Sequence, residues 1–348
     1  MKNNKPPVAV VVLNWNDWKQ TVECLESVFQ INYSNFNVIL VDNNSDGYHL
    51  DKILEWSKNK IEISHNLIEF NKNKIIKLNI IDDNNFDKSL ENNLTIIKNK
   101  INKGCTGGFN TGYRYAISCG YKYIARFDND TIAAKNHLQV LVSQLEENKD
   151  IAAICAKANY KQMPDKVSWA GMKIKNNLKF HRMMRINKRR DPDEMWTGII
   201  ESDAVNGPGS IYRCDLLKQT GLADEDFFYG PEDVELSQRL RKYGKTLVNC
   251  NVRVFHEVAK SATISGIKKR TYMEHKSFLI LIRKIGSFSD KLIGYSYGFI
   301  RLFFYLILSF RSDFRLRLIS SANAFYDFIL KRYGEYDKDK INSKNFLN

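Results

Sequence analysis

The sequence predicts an α/β fold, a Rossmann-like mixed sheet flanked by helices, followed by a basic, aromatic-rich helical C-terminal extension. Three observations predict it. Residues 8–13, VAVVVL, form a continuous apolar run of the kind found in strands covered on both faces. A helical pattern and a second apolar run at 36–41 follow within about forty residues, the signature of a βαβ unit. After residue 267 the chain becomes strongly basic and rich in aromatic residues.

The elements follow in order. The first strand stops at Asn14-Trp15-Asn16-Asp17, where Asn16 or Asp17 can cap a helix bearing Trp18, Val22, Leu25, Val28 and Phe29 at helical spacing. The second strand ends on Asp42. Residues 57–103 carry eleven Asn around short apolar runs and read as an elaborated insertion with an extra strand or two. Gly104, Gly107, Gly108 and Gly112 surround Asn110 and lead into a helical stretch ending near Gly120. A strand at 121–127 runs into Asp128, a helix at 135–147 follows, and a further strand spans 151–158. A basic loop lies at 179–190, and a turn at Asn206-Gly207-Pro208-Gly209. Pro231 opens a helix that Gly244 stops, and a last strand at 246–255 leads to His256. The domain organisation read from this is a catalytic domain over 1–267 and a helical region over 268–348.

The 348 residues suffice for a sizeable core, and the hydrophobic fraction of 43% is that of a globular chain. The net charge of +14 favours acidic partners, namely nucleic acid, anionic lipid or phosphorylated substrate. Of that surplus, +9 sits in residues 268–332. A nucleic-acid binder would place its basic and aromatic residues on the sheet or a recognition helix, whereas here they gather in the extension, so no nucleic-acid partner is expected. Within the extension, fourteen of the nineteen residues 292–310 are apolar or aromatic, with Arg301 near the middle. A central Arg costs a spanning helix ~2.5–3.5 kcal/mol. Three readings remain: a helix lying on an anionic membrane surface, a subdomain packed on the main core, or a spanning helix of marginal length. The six single cysteines and the lack of a signal-like segment before Val8 suit a cytoplasmic, reducing location, with each thiol a small buried apolar group.

Chemistry concentrates in three places. Asp-x-Asp occurs four times, beginning at Asp128, Asp191, Asp224 and Asp337, and only Asp128-Asn129-Asp130 directly follows an apolar strand. Two carboxylates there can converge on one hard cation, while the other three read as solvated acidic turns. Glu232-Asp233 opens a helix, where carboxylates complement the helix dipole. The aromatic turn before them, Phe227-Phe228-Tyr229-Gly230, suggests presentation into a cleft, where a carboxylate can act as general base. His256, at the end of the last strand, can reach a metal held by Asp130. The glycines at 104–112 read either as a backbone approach to phosphate or as a helix-entry turn.

In order, these stretches resemble the family 2 inverting glycosyltransferases of GT-A fold, especially the rhamnosyltransferase-like branch. The matching segments are VVVLNWND at 10–17, VDNNSDG at 41–47, NKGCTGGFNTG at 102–112 and FDNDT at 127–131. VNGPGSIYRCDLL at 205–217, GLADEDFFYGPEDVELSQRLRKYG at 221–244 and VFHEVAKS at 254–261 complete the set. The resemblance implies a nucleotide-sugar site drawing on Asn14, Asp42, Asn44, Gly107, Gly108, Asn110, Asp128, Asn206 and Gly207. It implies Mg2+ or Mn2+ on Asp128, Asp130 and His256. Asp233 would be the general base and Glu232 its acceptor-orienting neighbour. The implied partners are a nucleotide-diphosphate sugar and a glycan or lipid-linked acceptor, on the inner face of a membrane. A sugar-phosphate nucleotidyltransferase, the nearest rival, needs a Gly-rich basic loop after the first strand, where this chain has Asn14-Trp15-Asn16-Asp17.

Overall fold

The computed structural model describes residues 5–63, 65–72, 74–84, 86, 93–174, 183–185, 191–257 and 264–334. The first half runs β1 (Val8–Asn14), α1 (Trp18–Val28), β2 (Phe36–Asp42), α2 (Gly47–Ser57), β3 (Leu78–Asp82), β4 (Leu94–Lys98), α3 (Gly104–Ser118) and β5 (Tyr123–Asp128). There follow β6 (Thr131–Ala133), α4 (His137–Glu147), β7 (Ile151–Tyr160), β8 (Met163–Trp169), β9 (Met172–Ile174), β10 (Met183–Arg185) and β11 (Asp191–Pro192). Then come β12 (Ile199–Glu201), β13 (Ser210–Arg213), α5 (Cys214–Thr220), α6 (Glu232–Leu240) and β14 (Lys245–His256). The extension is α7 (Ile264–Ile285), α8 (Phe288–Ile307) and α9 (Ser312–Ile329).

Among the described residues the main sheet has the order β11-β8-β7-β13-β5-β1-β2-β4-β3, with β14 paired to β7, β12 and β6. β5, β1, β2, β4 and β3 are mutually parallel, which requires the crossovers the first βαβ unit announced. β13 lies antiparallel between β5 and β7, so the sheet is mixed. From β1 the chain proceeds to β2 on one side, while β5 lies on the other. That divergence is where open α/β sheets bind ligands, beyond the carboxyl ends of the strands.

Residues Val8–Val12 of β1 are fully buried, as a continuous apolar run requires. Asp17 is the residue that caps α1, its Oδ1 accepting from Gln20 N at 3.3 Å. α3 begins at Gly104, so the glycine-rich stretch lies inside the helix. It brings α3 against β1: a Cβ on Gly112 would meet Val11 at 2.4 Å, and one on Gly108 would meet Leu13 at 2.5 Å.

The structure narrows the reading of 57–103 as an insertion. β4 lies directly beside β2, with Leu94 and Ile96 fully buried, so this part of the segment belongs to the core sheet. The irregular stretch before β3 is tied down by Glu26 on α1. Its buried carboxylate accepts from Trp56 Nε1 at 2.9 Å and Asn71 N at 2.9 Å, and pairs with the buried Lys74 ammonium at 3.1 Å. The boundary expected after residue 267 falls inside α7, whose Ile280–Ile282 share a core with Ala204, Phe227 and Val234. The extension is therefore packed on the catalytic region through α7. The basic loop at 179–190 lies outside the described residues, apart from the backbone of β10.

Replacing Glu26 by alanine leaves Lys74 buried without its anion. The unfolding free energy is expected to fall by about 3–5 kcal/mol in urea titration. Wild-type stability in that variant would show that the pair does not anchor the segment.

Candidate active site

The carboxyl ends of β1, β2 and β5 carry the first group of polar residues. Asn14 and Asp42 are register partners, and both are buried although they end apolar strands. Asn14 Nδ2 donates to Asp42 Oδ1 at 2.8 Å and to Ser45 Oγ at 3.0 Å, while its Oδ1 accepts from Thr21 Oγ at 2.7 Å. Asn44 follows at the exposed tip, with φ of 63°. Asn43, between them, is buried and uses all its amide capacity. Its Nδ2 donates to Asn102 Oδ1 at 2.9 Å and to the Gly104 carbonyl at 3.0 Å. Its Oδ1 accepts from Asn99 Nδ2 at 2.9 Å and Lys103 N at 3.1 Å. The start of α3 is thus fixed to the end of β2.

Asp128 terminates β5, and Asp130 sits in the turn leading to β6. β6 pairs with β14 so that Thr131 faces His256, which sets His256 Nε2 3.2 Å from Asp130 Oδ1. One ligand atom from each of Asp128, Asp130 and His256 can be chosen so that all three lie within 4.8 Å of one another. Two carboxylate oxygens and an imidazole nitrogen at that spacing fit one divalent ion. Burial alone would favour neutral His256, but the contact of its Nε2 with the Asp130 carboxylate and the charges of Asp130 and Asp128 raise its pKa above the usual value. Burial likewise raises the pKa of Asp128; Arg126 opposes that shift and Asp130 adds to it.

Opposite this cluster, α6 starts with Glu232 and Asp233, immediately after Pro231. Glu232 is buried and Asp233 half-buried. Asp233 Oδ2 accepts from Gly207 N at 3.3 Å, and its Oδ1 from Val234 N at 2.8 Å. Burial and the neighbouring Glu232 charge raise Asp233 to about 6, with Arg126 acting in the other direction. A carboxylate poised there is matched to proton abstraction near neutral pH.

Arg126 joins the two halves. Its Nε donates to Asp128 Oδ1 at 3.1 Å, and its Nη1 to Glu232 Oε1 at 3.0 Å. The guanidinium lies 4.0 Å over the Phe109 ring, with Nη2 3.4 Å from Cys105 Sγ. Gly207 approaches its other side, where a Cβ would come within 2.6 Å of Arg126 Cζ. Gly104, at φ +73°, lets α3 abut the loop before α6, since a Cβ there would meet the Phe228 carbonyl at 2.4 Å.

The structure therefore brings together Asn14 with Asp42, Asp128 with Asp130 and His256, and Glu232 and Asp233 with Gly207; Asn206 is half-buried in the same loop as Gly207. It does not bring Gly107, Gly108 and Asn110 to the acidic cluster. Gly108 packs on Leu13, and Asn110 Nδ2 holds the Ala223 carbonyl at 2.7 Å and Glu225 at 2.9 Å. These residues brace the loop before α6. Arg126 escaped the sequence reading, although period-two alternation puts it on the same face as Asp128 and it is the lone basic residue in its strand. Two other expectations need correction. Asp193 is no solvated turn residue: it is buried and pairs with Lys157 at 2.6 Å and Arg253 at 2.6 Å. Asp224 and Asp226 pair with Lys284 and Arg283 of α7, and Asp337 to Asp339 lie outside the described residues. Among the six free thiols, Cys105 and Cys119 are only half-buried, and Cys105 touches the charged site.

A model of the family described as Glycosyl transferase family 2 matches residues 9–80 and 76–205, more than half of the chain. The chain belongs to glycosyltransferase family 2. An uncharacterized glycosyltransferase of Haemophilus influenzae is 26% identical to this family 2 member over 152 residues, 43% of this chain and 36% of that one. The chain thus spans about a third of that relative's length. Among solved structures, GalNAc-T7 with UDP, GalNAc and Mn2+ superposes with a TM-score of 0.53 at 16% identity, over 79% of this chain and 51% of that one. The mannosyltransferase PcManGT from Pyrobaculum calidifontis, in complex with GDP-Man and Mn2+, gives 0.52 at 15% identity, over 94% and 76%. At these identities the likeness concerns the fold, and the fold of this family 2 glycosyltransferase is GT-A.

Mn2+ titrated into the protein and followed by electron paramagnetic resonance is expected to bind at one site. Asp130→Ala should abolish that binding, and His256→Ala should weaken it by about 10-fold or more. Unaltered affinity in the histidine variant would remove the imidazole from the ligand set.

Proposed function

We propose that this family 2 glycosyltransferase moves a sugar, with inversion, from a nucleotide-diphosphate sugar to a hydroxyl of a glycan or lipid-linked glycan, in surface polysaccharide or glycoconjugate synthesis. The observation that carries this reading is the pair of acidic groups held on either side of Arg126: Asp128, Asp130 and His256 on one side, Glu232 and Asp233 on the other. A single in-line displacement needs that division, with charge stabilisation where the diphosphate leaves and a base where the acceptor arrives.

Asn14 and Asp42, with Asn44 at the tip, are proposed to hold the base and ribose. Asp128 would lie toward the ribose and metal. Asp128, Asp130 and His256 would hold Mg2+ or Mn2+, which when bound offsets the charge growing on the leaving diphosphate. Asp233 would take the proton of the acceptor hydroxyl as its oxygen bonds to the anomeric carbon and the carbon–oxygen bond to the diphosphate breaks. Glu232, fixed by Arg126, would orient the acceptor, and Asn206 and Gly207 would line the sugar pocket. No covalent enzyme nucleophile is required, and the base can be reset by solvent after product release. UDP in one structural neighbour and GDP-Man in another support a nucleotide-linked donor without fixing which. A rhamnosyl donor is the proposal drawn from the sequence motifs. No helix of the described residues is long and apolar enough to cross a membrane, and we read the enzyme as peripheral on the cytoplasmic face.

The acid limb of kcat is expected near pH 6, with activity lost as Asp233 gains its proton and full above that pH. Arg126→Met removes a cation that favours ionised Asp233, so the limb should move to higher pH. An unmoved limb would separate Arg126 from the base. Asp233→Asn is expected to lower transfer by about 10^2–10^4-fold while donor binding persists, and normal turnover in that variant would exclude Asp233 as the base. Chelation by EDTA should stop transfer and added Mn2+ or Mg2+ restore it; full activity in chelator would exclude the metal. Screening nucleotide sugars for donor hydrolysis identifies the donor, and no turnover with a rhamnose donor beside turnover with another would reject the rhamnosyl proposal.

A further inference from the structure

α8 is built inside out for a helix of a water-soluble surface. Its inward side is small: Gly294 and Gly298 are buried, and a Cβ on Gly294 would meet Ile282 of α7 at 2.2 Å. Arg301 also turns away from the outer face, donating from Nε to Tyr305 Oη at 3.0 Å, with Tyr305 buried. The outward side is large and apolar. Leu292, Phe299, Ile300, Phe303 and Ile307, with Phe310 just beyond the helix, are each more than half exposed, and their spacing places them on one face. The helix is about 30 Å long at the ordinary rise per residue. A stripe of that length exceeds the scattered apolar residues of an ordinary surface.

The ends of the stripe identify what covers it. Lys291 precedes Leu292, while the exposed Arg311 and Arg315 follow Phe310. With the Asp290 carboxylate tied into the Ser287 cap, and Arg311 and Arg315 outnumbering Asp313, a second copy packed on this face in either direction would bring net basic ends together. An anionic lipid surface meets both features, accepting the apolar residues below its headgroups and the basic ends among its phosphates. We propose that the outer face of α8 is a docking surface for an anionic lipid bilayer, the helix lying in the interfacial plane.

The docking surface also has a connection to the site. α7, on which α8 packs, grips the loop before α6: Ser277 Oγ donates to the Tyr229 carbonyl at 3.0 Å, and Arg283 Nη2 donates to Asp226 at 3.0 Å. One helix therefore separates the lipid-facing stripe from the segment that presents Glu232 and Asp233. The surface itself is read from the helices alone; only its use for a lipid-borne acceptor rests on the proposed transfer reaction.

The test is flotation of the full-length protein with phosphatidylcholine vesicles, with and without phosphatidylglycerol. Wild type should float with the anionic vesicles and be released by high salt. Phe299→Ser/Phe303→Ser/Ile307→Ser should bind at least about 10-fold more weakly, and Arg311→Glu/Arg315→Glu should lose the preference for phosphatidylglycerol. The substituted side chains are exposed, so folding is checked by circular dichroism, and donor hydrolysis in solution should match wild type. Equal flotation of wild type and the serine variant would overturn the proposal. So would a wild-type dimer, seen by light scattering, that does not float and that the serine variant dissolves. Donor hydrolysis reports on the glycosyl-transfer reading independently of flotation, so either can fail while the other stands.

Discussion

A buried guanidinium with carboxylates on both sides organises this molecule. Arg126 arises from the strand beside β1, yet its two hydrogen-bonding arms end on Asp128 and on Glu232, residues more than a hundred positions apart in sequence. An isolated cation in that position would be costly to bury, and so would Glu232 without it. The close approach of Gly207, the stacking of Phe109 and the thiol of Cys105 complete a shell that leaves the guanidinium little room to turn. The distance between the two acidic groups is thereby set by the shape of one planar side chain rather than by loop conformation.

The parallel half of the sheet positions one side of this arrangement and the mixed half positions the other. β1 and β2 deliver Asn14 and Asp42 as register partners, and β5 delivers Asp128 opposite Leu13, whereas β14 brings His256 to Asp130 alongside its pairing with the three-residue β6. Glu232 and Asp233 arrive on a helix start that is itself held from two directions, by α3 through Gly104 and by α7 through Ser277 and Arg283. α7 is thus part of the support for the site.

Much of this was legible in the residues. Apolar runs ending in polar residues marked β1, β2 and β5 and located Asp128; the strand context, not the Asp-x-Asp pattern, separated it from its three repeats. What was not legible depended on pairing over long sequence distances. β4 looked like part of an insertion because nothing local shows that it lies beside β2. The glycines before Gly112 read equally as a phosphate approach and as a helix-entry turn, because a glycine needed for helix-on-sheet contact looks the same in sequence as one needed for a ligand. Asp193 read as solvated because its cations, Lys157 and Arg253, come from other strands.

Asn43 shows how narrow the chemical tolerance at such a joint is. Its amide nitrogen faces two oxygens and its amide oxygen faces two nitrogens, so each atom matches its surroundings in one orientation only. Hydrolysis of that amide to a carboxylate, the ordinary ageing reaction of asparagine, would set a negative oxygen against the Asn102 and Gly104 oxygens with no proton to share. The end of β2 and the start of α3 would then repel each other at the edge of the proposed nucleotide pocket.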